Sequence, residues 1–590
     1  MEYLNSLIDD DEPNDCLVIG IDFGTTYSGV AWATRGEFNN KQINLITSWP
    51  GNIKEEGKVP TEIWYDDDEN IEWGYQIPID AEPFRWFKLL MLHTEDLTPA
   101  FCKSDYLSQS RAKLEKSGRT AVDLIADYLR VLWTYTMATI ERARGEDIVE
   151  SLPIHVVITV PAIWKDYTRQ AMKTAAKKAG ILDPRLAGET KLSFAPEPEA
   201  AALPTLLEQG RGVQPENVYI ICDAGGGTVD LISYEVQSTN PIVLREAVKG
   251  TGKYIQRLCD GRLGAVWKRL GNAGIKHVLK NEWEYGLKKQ FKPGKSGKRH
   301  VVTLPISLIK GGTSGLNDTT REPHIKDGVI YFRDQDIEKA FEVVFTGIKN
   351  LVEKQVQSAV QKGLSITGII LVGGLGANLY LYDYLKSSYS KAGITVLQSD
   401  GTRPRTSICR GAVMKGFLDE DKLDGTEAPI RITSTVSRAS YGIEYNTVYN
   451  PLVHLEEDKI WDDNEEDWKA TNQMKWYLRR AQVVSKIEPV RLVWYKFLRE
   501  EQFDGTLSTP LFQCDDEVPP KRLVSNVQKI GTLFCTLDVQ YSDLPDFKKK
   551  KGVKRLKFEI EMVPSGASLE FSLYIDGRKQ GTTSVEMGVE

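Results

Sequence analysis

The sequence predicts an α/β architecture over roughly its first 420 residues, followed by a C-terminal antiparallel β-sandwich-like domain, and three observations support this. First, short runs rich in Val and Ile recur at Cys16–Ile21, His155–Val160, Val218–Cys222 and Ile366–Val372, each closed by Gly, Pro or Asp, as buried strands of a covered sheet are. Second, apolar residues recur at helical spacing between them: Val122, Ile125, Leu129, Leu132, Trp133, Thr136 and Ile140, then Ile337, Phe341, Val344, Phe345, Ile348, Leu351 and Val352. Strands alternating with amphipathic helices make layered α/β units. Third, the period changes after Phe417–Pro429, an acidic stretch without periodicity. Leu556, Phe558, Ile560 and Met562 alternate with charged residues, and Leu569, Phe571, Leu573 and Ile575 repeat the pattern before an Asp576-Gly577 turn. Val490–Phe497 and Leu533–Val539 read as further strands of the same domain.

The 590 residues suffice for three or four domains of about 100–200 residues each. Residues 1–15 carry six acidic and no basic side chains and read as a disordered acidic tail, the opposite of a secretory signal. Residues 419–430 read as a linker and 431–590 as the β-rich domain. No apolar run approaches the roughly 20 residues of a membrane-spanning helix, so a cytoplasmic protein without a membrane partner is expected. The net charge of −7 argues against affinity built on phosphate neutralisation along a nucleic acid. Cys16, Cys102, Cys222, Cys259, Cys409, Cys514 and Cys535 form no C-x-x-C pair and read as reduced thiols, and the six histidines form no ligand pair. The charged runs Glu456–Asp467 and Lys548–Lys557 read as solvated loops.

The chemistry-bearing signal is a pair of glycine turns. In Ile19-Gly20-Ile21-Asp22-Phe23-Gly24-Thr25-Thr26-Tyr27, an apolar strand delivers an aspartate into a glycine-threonine turn and continues as a second strand. Asp223-Ala224-Gly225-Gly226-Gly227-Thr228 repeats the arrangement after another apolar strand. Turns without side chains let backbone N–H groups approach phosphate oxygens, hydroxyls add donors, and a strand-end aspartate holds Mg²⁺ through its water shell. Two such turns clamp a polyphosphate from opposite sides. Gly294-Lys295-Ser296 lacks the first glycine of a P-loop, and Gly374-Leu375-Gly376 lacks the third of a dinucleotide fingerprint.

These two loops, with Val157-Ile158-Thr159-Val160-Pro161-Ala162, Glu197-Pro198-Glu199-Ala200-Ala201-Ala202 and Leu371-Val372-Gly373-Gly374, closely resemble the ATPase domain of the 70-kDa heat-shock protein family. The five motifs stand in the family's order over roughly residues 16 to 420. The resemblance implies an actin-like fold of two ribonuclease-H-like lobes, lobe I at 16–205 and lobe II at 206–418, with Mg-ATP in the cleft. It further implies that Asp22 and Asp223 hold the metal through water. Gly24, Thr25, Thr26, Tyr27, Gly225, Gly226, Gly227 and Thr228 then bind phosphate, and Gly373 and Gly374 lie against adenosine. Glu197 matches the family's glutamate near the metal and the attacking water; the alternative is a turn-capping glutamate between prolines. Lys88 is the candidate for the lysine beside the γ-phosphate, the alternative being a surface lysine with its stem along apolar neighbours. Glu284 and Lys288, four apart on an expected helix, either reach the nucleotide or form an ordinary surface ion pair.

Departures from the pattern narrow the reading. Leu375 and Ala377 stand where the family places polar base contacts, and Leu418–Gly425 replaces its leucine-rich linker. Arg169 matches an arginine on the J-protein-facing surface, but the missing linker counts against such a co-chaperone. The resemblance implies a lidless, twelve-type-like member whose β domain takes an unfolded or extended peptide. The primary expectation is a Mg-ATP-hydrolysing heat-shock-70-like chaperone with weak ATPase activity. The alternatives are a nucleotide-sensing interaction protein with little turnover and, more remotely, a small-molecule kinase on the same fold.

Overall fold

The computed structural model describes residues 15–96, 105–161, 164, 166–209, 213–225, 228–239, 242–254, 277–294, 299–305, 317, 319–320, 322–424, 430–437, 439–485, 490–547, 550–565 and 568–585. The expected acidic tail falls almost wholly outside them. The chain divides into two compact units, one of residues 1–162, 171–234 and 250–429, the other of residues 163–170, 235–249 and 430–590. The division is not linear along the sequence. Ile242–Leu244 pairs in parallel with Ile430–Ile432, which draws an early segment into the later unit.

In the first unit, β1 (Leu17–Asp22) is buried along its whole length and lies between antiparallel β2 (Tyr27–Thr34) and a parallel neighbour. The register Asp22↔Gly29 leaves Phe23–Thr26 as the connecting turn. A Cβ on Gly24 would stand 2.2 Å from the Tyr27 carbonyl oxygen, so the turn needs glycine there. Helix α1 (Ala121–Arg144) begins at a Thr120–Asp123 capping box and buries Leu124, Ile125, Tyr128, Leu129, Leu132 and Ile140. Val122 and Trp133, expected on that face, are only half-buried, and Leu124, Ala126 and Tyr128 are core residues the periodicity did not single out. The sheet continues through β3 (Ile154–Val160), parallel to β1, and β4 (Lys191–Pro196), parallel to β3. Helix α2 (Glu197–Gln209) follows β4 without a loop.

A second sheet of the same unit runs in the order β8-β7-β5-β6, from β5 (Val218–Ala224), β6 (Thr228–Thr239, of which the unit holds the first part), β7 (Ile366–Val372) and β8 (Thr395–Gln398). β5 and β7 are parallel, with Asp223 opposite Val372. Helices α3 (Asp334–Gln361) and α4 (Leu379–Tyr389) accompany this sheet, and Phe341, Phe345 and Tyr380 pack ring against ring between them. Helix α5 (Arg403–Asp424) packs on β1 and α2. Its Gly411 lies so close to α2 that a Cβ would meet the Ala200 carbonyl oxygen at 1.6 Å. α5 continues through Asp424, where the sequence reading placed a linker from residue 419.

The second unit contains β9 (Ser440–Val448), β10 (Lys459–Asp462), β11 (Asp467–Leu478), β12 (Val490–Leu498), β13 (Thr506–Cys514), β14 (Gln528–Thr536), β15 (Lys554–Ser565), β16 (Ser568–Ile575) and β17 (Arg578–Val585). They form two antiparallel sheets, β10-β11-β9-β13-β14 and β12-β15-β16-β17. Leu511 and Leu533 from the first sheet join Leu556, Ile560, Phe571 and Leu573 from the second in one apolar core. The acidic run Glu456–Asp467 is not a plain solvated loop: it includes β10, and Asp458 is fully buried. Arg522 grips both Asp458 oxygens at 2.7 and 2.9 Å, and Asn472 donates at 2.8 Å, which offsets the loss of water. The basic run likewise feeds into β15 from Lys554 onward.

Among the described residues no helix is long and apolar enough to cross a membrane. Cys16, Cys222, Cys409, Cys514 and Cys535 are free thiols, all but Cys16 buried.

Candidate functional site

The strand ends of these two sheets of the first unit open on a cavity of ≈ 370 Å³. Asp22, at the end of β1, and Gly24, Thr25, Thr26 and Tyr27 of the following turn line one side. Asp223 and Gly225 from the end of β5 line it, as do Gly373 and Gly374 from the end of β7. Lys88, Glu197 and Lys288 complete the sequence-selected residues found there. Gly226 and Gly227 lie outside the described residues. Thr228 opens β6 and Glu284 lies in a helix over Val278–Leu287, but neither side chain is among those described. That helix is a π-helix where the reading expected an α-helix, with α-helical turns resuming at Lys288.

Each charged group is held by its local structure. Glu197 is the first residue of α2, where the N-terminal helix dipole favours an anion, and its side chain is buried rather than capping a solvent-exposed turn. Lys88 sits in a 3₁₀ turn over Phe87–Met91 and is 2% exposed, so it is not a surface lysine. Its ammonium donates to Glu197 Oε1 at 2.7 Å and to the Phe23 carbonyl at 2.5 Å, tying this turn to the loop after β1. Burial raises the Glu197 pKa above the ordinary glutamate value, against the pull of Lys88. Burial, then the neighbouring Glu197 carboxylate, raise Asp223 well above the ordinary aspartate value.

The Gly373 turn shows why glycine stands there. Its φ is +89°, and a Cβ would lie 2.2 Å from Asp223 Oδ1. The Leu375 and Gly376 amides donate to the Ala224 carbonyl at 2.8 and 3.0 Å, docking the turn on the end of β5. Asn378 caps α4 by accepting from the Leu381 amide and donates from Nδ2 to the Lys288 carbonyl at 2.5 Å.

The sequence reading missed Glu55, Glu56, Lys58, Asn378, Thr402 and Arg405 in the cavity wall. Arg405 donates to Glu56 at 2.8 Å across 349 residues of sequence, a pairing with no local signal. Lys58 donates to Asp22 Oδ2 at 2.5 Å across 36 residues. Burial pulls the Lys58 pKa down, its anionic neighbours, Asp22 foremost and then Asp223, together outweigh it, and the net shift is upward. Only Asn378 carried a readable cue, as an Asn immediately ahead of a helical run.

Asp223 Oδ1 is buried without a hydrogen-bond partner among the described residues, so this carboxylate accommodates a further cation or water. The described residues contain no group of three His, Cys, Asp or Glu side chains able to hold a metal directly. Asp22 and Asp223 both line the cavity, and carboxylate oxygens are the donor type that a hydrated divalent cation takes.

A profile of the family described as Hsp70 protein matches residues 134–240, which include β3, β4, α2 and the Asp223 loop. Heat shock 70 kDa protein 12A of Mus musculus is 27% identical over 301 residues, covering 40% of this chain and 42% of that protein. The chain thus matches less than half the length of this relative. Heat shock 70 kDa protein 12B of Homo sapiens is 21% identical over 565 residues, 80% of this chain and 77% of that protein. A chaperone protein HscA homolog of Acinetobacter baumannii is 28% identical over 227 residues, 36% of this chain and 32% of that protein. The motifs in their order, the cavity they line and these similarities agree: the chain is a divergent Hsp70-like protein.

Proposed function

We propose that the first unit is an actin-like ATPase domain that binds and slowly hydrolyses Mg-ATP, and that its nucleotide state controls client or partner binding by the β-rich unit, as in a cytoplasmic Hsp70-like chaperone. The observation that carries this reading is the meeting of Asp22, Lys88, Glu197 and Asp223 with two glycine turns at one cavity. The backbone after Gly24 and the Thr25 and Thr26 hydroxyls would orient phosphate oxygens. Asp22 and Asp223 would hold Mg²⁺ through its water shell; the bound cation neutralises phosphate charge. Lys88 would stabilise charge developing at the γ-phosphate while keeping Glu197 in place, and Glu197 would position the attacking water. The β-rich unit would take an extended peptide by strand addition at a sheet edge.

A second reading is a nucleotide sensor with little turnover. Leu375 and Ala377 line the cavity with apolar surface, and the Glu197 carboxylate is already engaged by Lys88. Single-turnover hydrolysis of Mg-ATP, with binding followed in parallel and Glu197→Ala as comparison, separates the two. Phosphate release that depends on Glu197 supports the ATPase. Tight binding without release supports the sensor, and no ATP binding at all removes both.

A further inference from the structure

Lys58 gives the cavity a cation that the sequence motifs do not account for. It lies in the segment before the short strand Val59–Pro60, which pairs with β2, and the Tyr75 hydroxyl donates to its carbonyl at 3.0 Å. Its stem passes Gly29 of β2, where a Cβ would press on Lys58 Cγ at 3.1 Å. The position is therefore fixed by backbone pairing on one side and by a glycine on the other. The ammonium is almost fully buried, lines the cavity and sits 2.5 Å from Asp22 Oδ2.

Lys288 also lines the wall, and two further cations there, Lys88 and Arg405, are committed to carboxylates other than Asp22. Lys88 bonds both Glu197 and the Phe23 carbonyl, and Arg405 bonds Glu56. Among the described residues Lys58 donates to Asp22, and an ammonium has three N–H donors. Two of them remain for a ligand in the cavity. Asp22 is also one of the two carboxylates suited to a hydrated divalent cation, so Lys58 and that cation draw on the same anionic group.

We propose that Lys58 is a built-in counter-cation that binds polyphosphate from the Asp22 side, so that this chain holds ATP with a reduced requirement for a divalent cation. The proposal rests on the nucleotide reading of the cavity. A fixed ammonium in a partly desolvated cleft attracts phosphate far more strongly than one in water, and it does so without ion uptake.

The test is calorimetric titration of the full chain with ATP, in Mg²⁺ and in EDTA, for the wild type, Lys58→Gln and Lys58→Arg. The expected result is a wild-type affinity that falls by less than about tenfold when Mg²⁺ is removed, with Lys58→Gln falling by about a hundredfold and Lys58→Arg staying near the wild type. A wild type that itself loses about a hundredfold or more in EDTA overturns the proposal and leaves the nucleotide reading standing. Equal Mg²⁺ dependence in wild type and Lys58→Gln does the same. No ATP binding in either buffer overturns both. Circular dichroism checks that the variants are folded, and the wild-type ratio decides the matter if Lys58→Gln is not.

Discussion

Lys88 and Glu197, 109 residues apart in the chain, meet as a buried ion pair with Nζ 2.7 Å from Oε1. The pair joins a 3₁₀ turn to the first residue of α2 and so links two distant segments of the first unit. Removing one partner of a buried pair strands the other charge, which typically costs about 3–5 kcal/mol. Lys88→Met should therefore destabilise the chain by about 3 kcal/mol in chemical denaturation, and Lys88→Met/Glu197→Gln should recover at least about half of that. A single variant as stable as the wild type would show that the pair holds nothing together.

Gly373→Ala tests the closest approach in the cavity. The added methyl would fall 2.2 Å from Asp223 Oδ1 and 2.6 Å from the Ala224 carbonyl oxygen, at a φ of +89°. Strain of this kind costs of order 1–3 kcal/mol. The expected outcome is a lower melting temperature together with loss of ATP binding, because the turn must move off Asp223. Unchanged binding would separate this turn from the nucleotide site.

The raised Asp223 pKa gives a pH signature. Burial and the Glu197 carboxylate make the folded chain bind this proton more tightly than the unfolded chain does, from an ordinary value of 3.8. The stabilisation by the proton is complete below that ordinary value and is lost as pH rises through the raised one. Without nucleotide, Asp223→Asn should melt with the wild type at about pH 4 and above it by about 2 °C or more at about pH 8. A difference that shrinks with rising pH would reverse the assignment. With Mg-ATP the order should invert, since the variant lacks the carboxylate.

Gly411→Ala probes the fold away from the charged groups. Helix α5 and helix α2 touch so closely that the new methyl would stand 1.6 Å from the Ala200 carbonyl oxygen, with backbone on the receiving side. Overpacking of this sort costs about 1–3 kcal/mol. A drop in the denaturation midpoint of that size is expected; a neutral substitution would mean that the two helices slide apart easily.

What could be read from the sequence was whatever local chemistry determines. The Val- and Ile-rich runs marked β1, β3, β5 and β7 to within a residue or two, because strands buried on both faces have little choice of composition. The two aspartate-glycine turns could be read because strand-end turns that admit no side chain leave a glycine signature. Lys58, Glu56 and Arg405 could not, since their places in the wall come from pairings 36 and 349 residues long that no window spans. The acidic run near Asp458 misled for the same reason: its compensating Arg522 lies 64 residues onward. The helix of Glu284 differs in kind, π rather than α, and the side-chain pattern alone does not separate the two.

Cys222 and Cys409 are wholly buried beside the cavity, one directly before Asp223, the other with its carbonyl oxygen where a Cβ on Gly20 would fall. Burial pushes the Cys409 thiol up to about 12 and Cys222 higher still, so at neutral pH neither is a competent nucleophile in the folded protein. The pair is thus a chemical clock. The rate at which a small alkylating reagent consumes these two thiols times the opening of the cleft walls, and a ligand that holds the walls together should slow it without touching either sulfur.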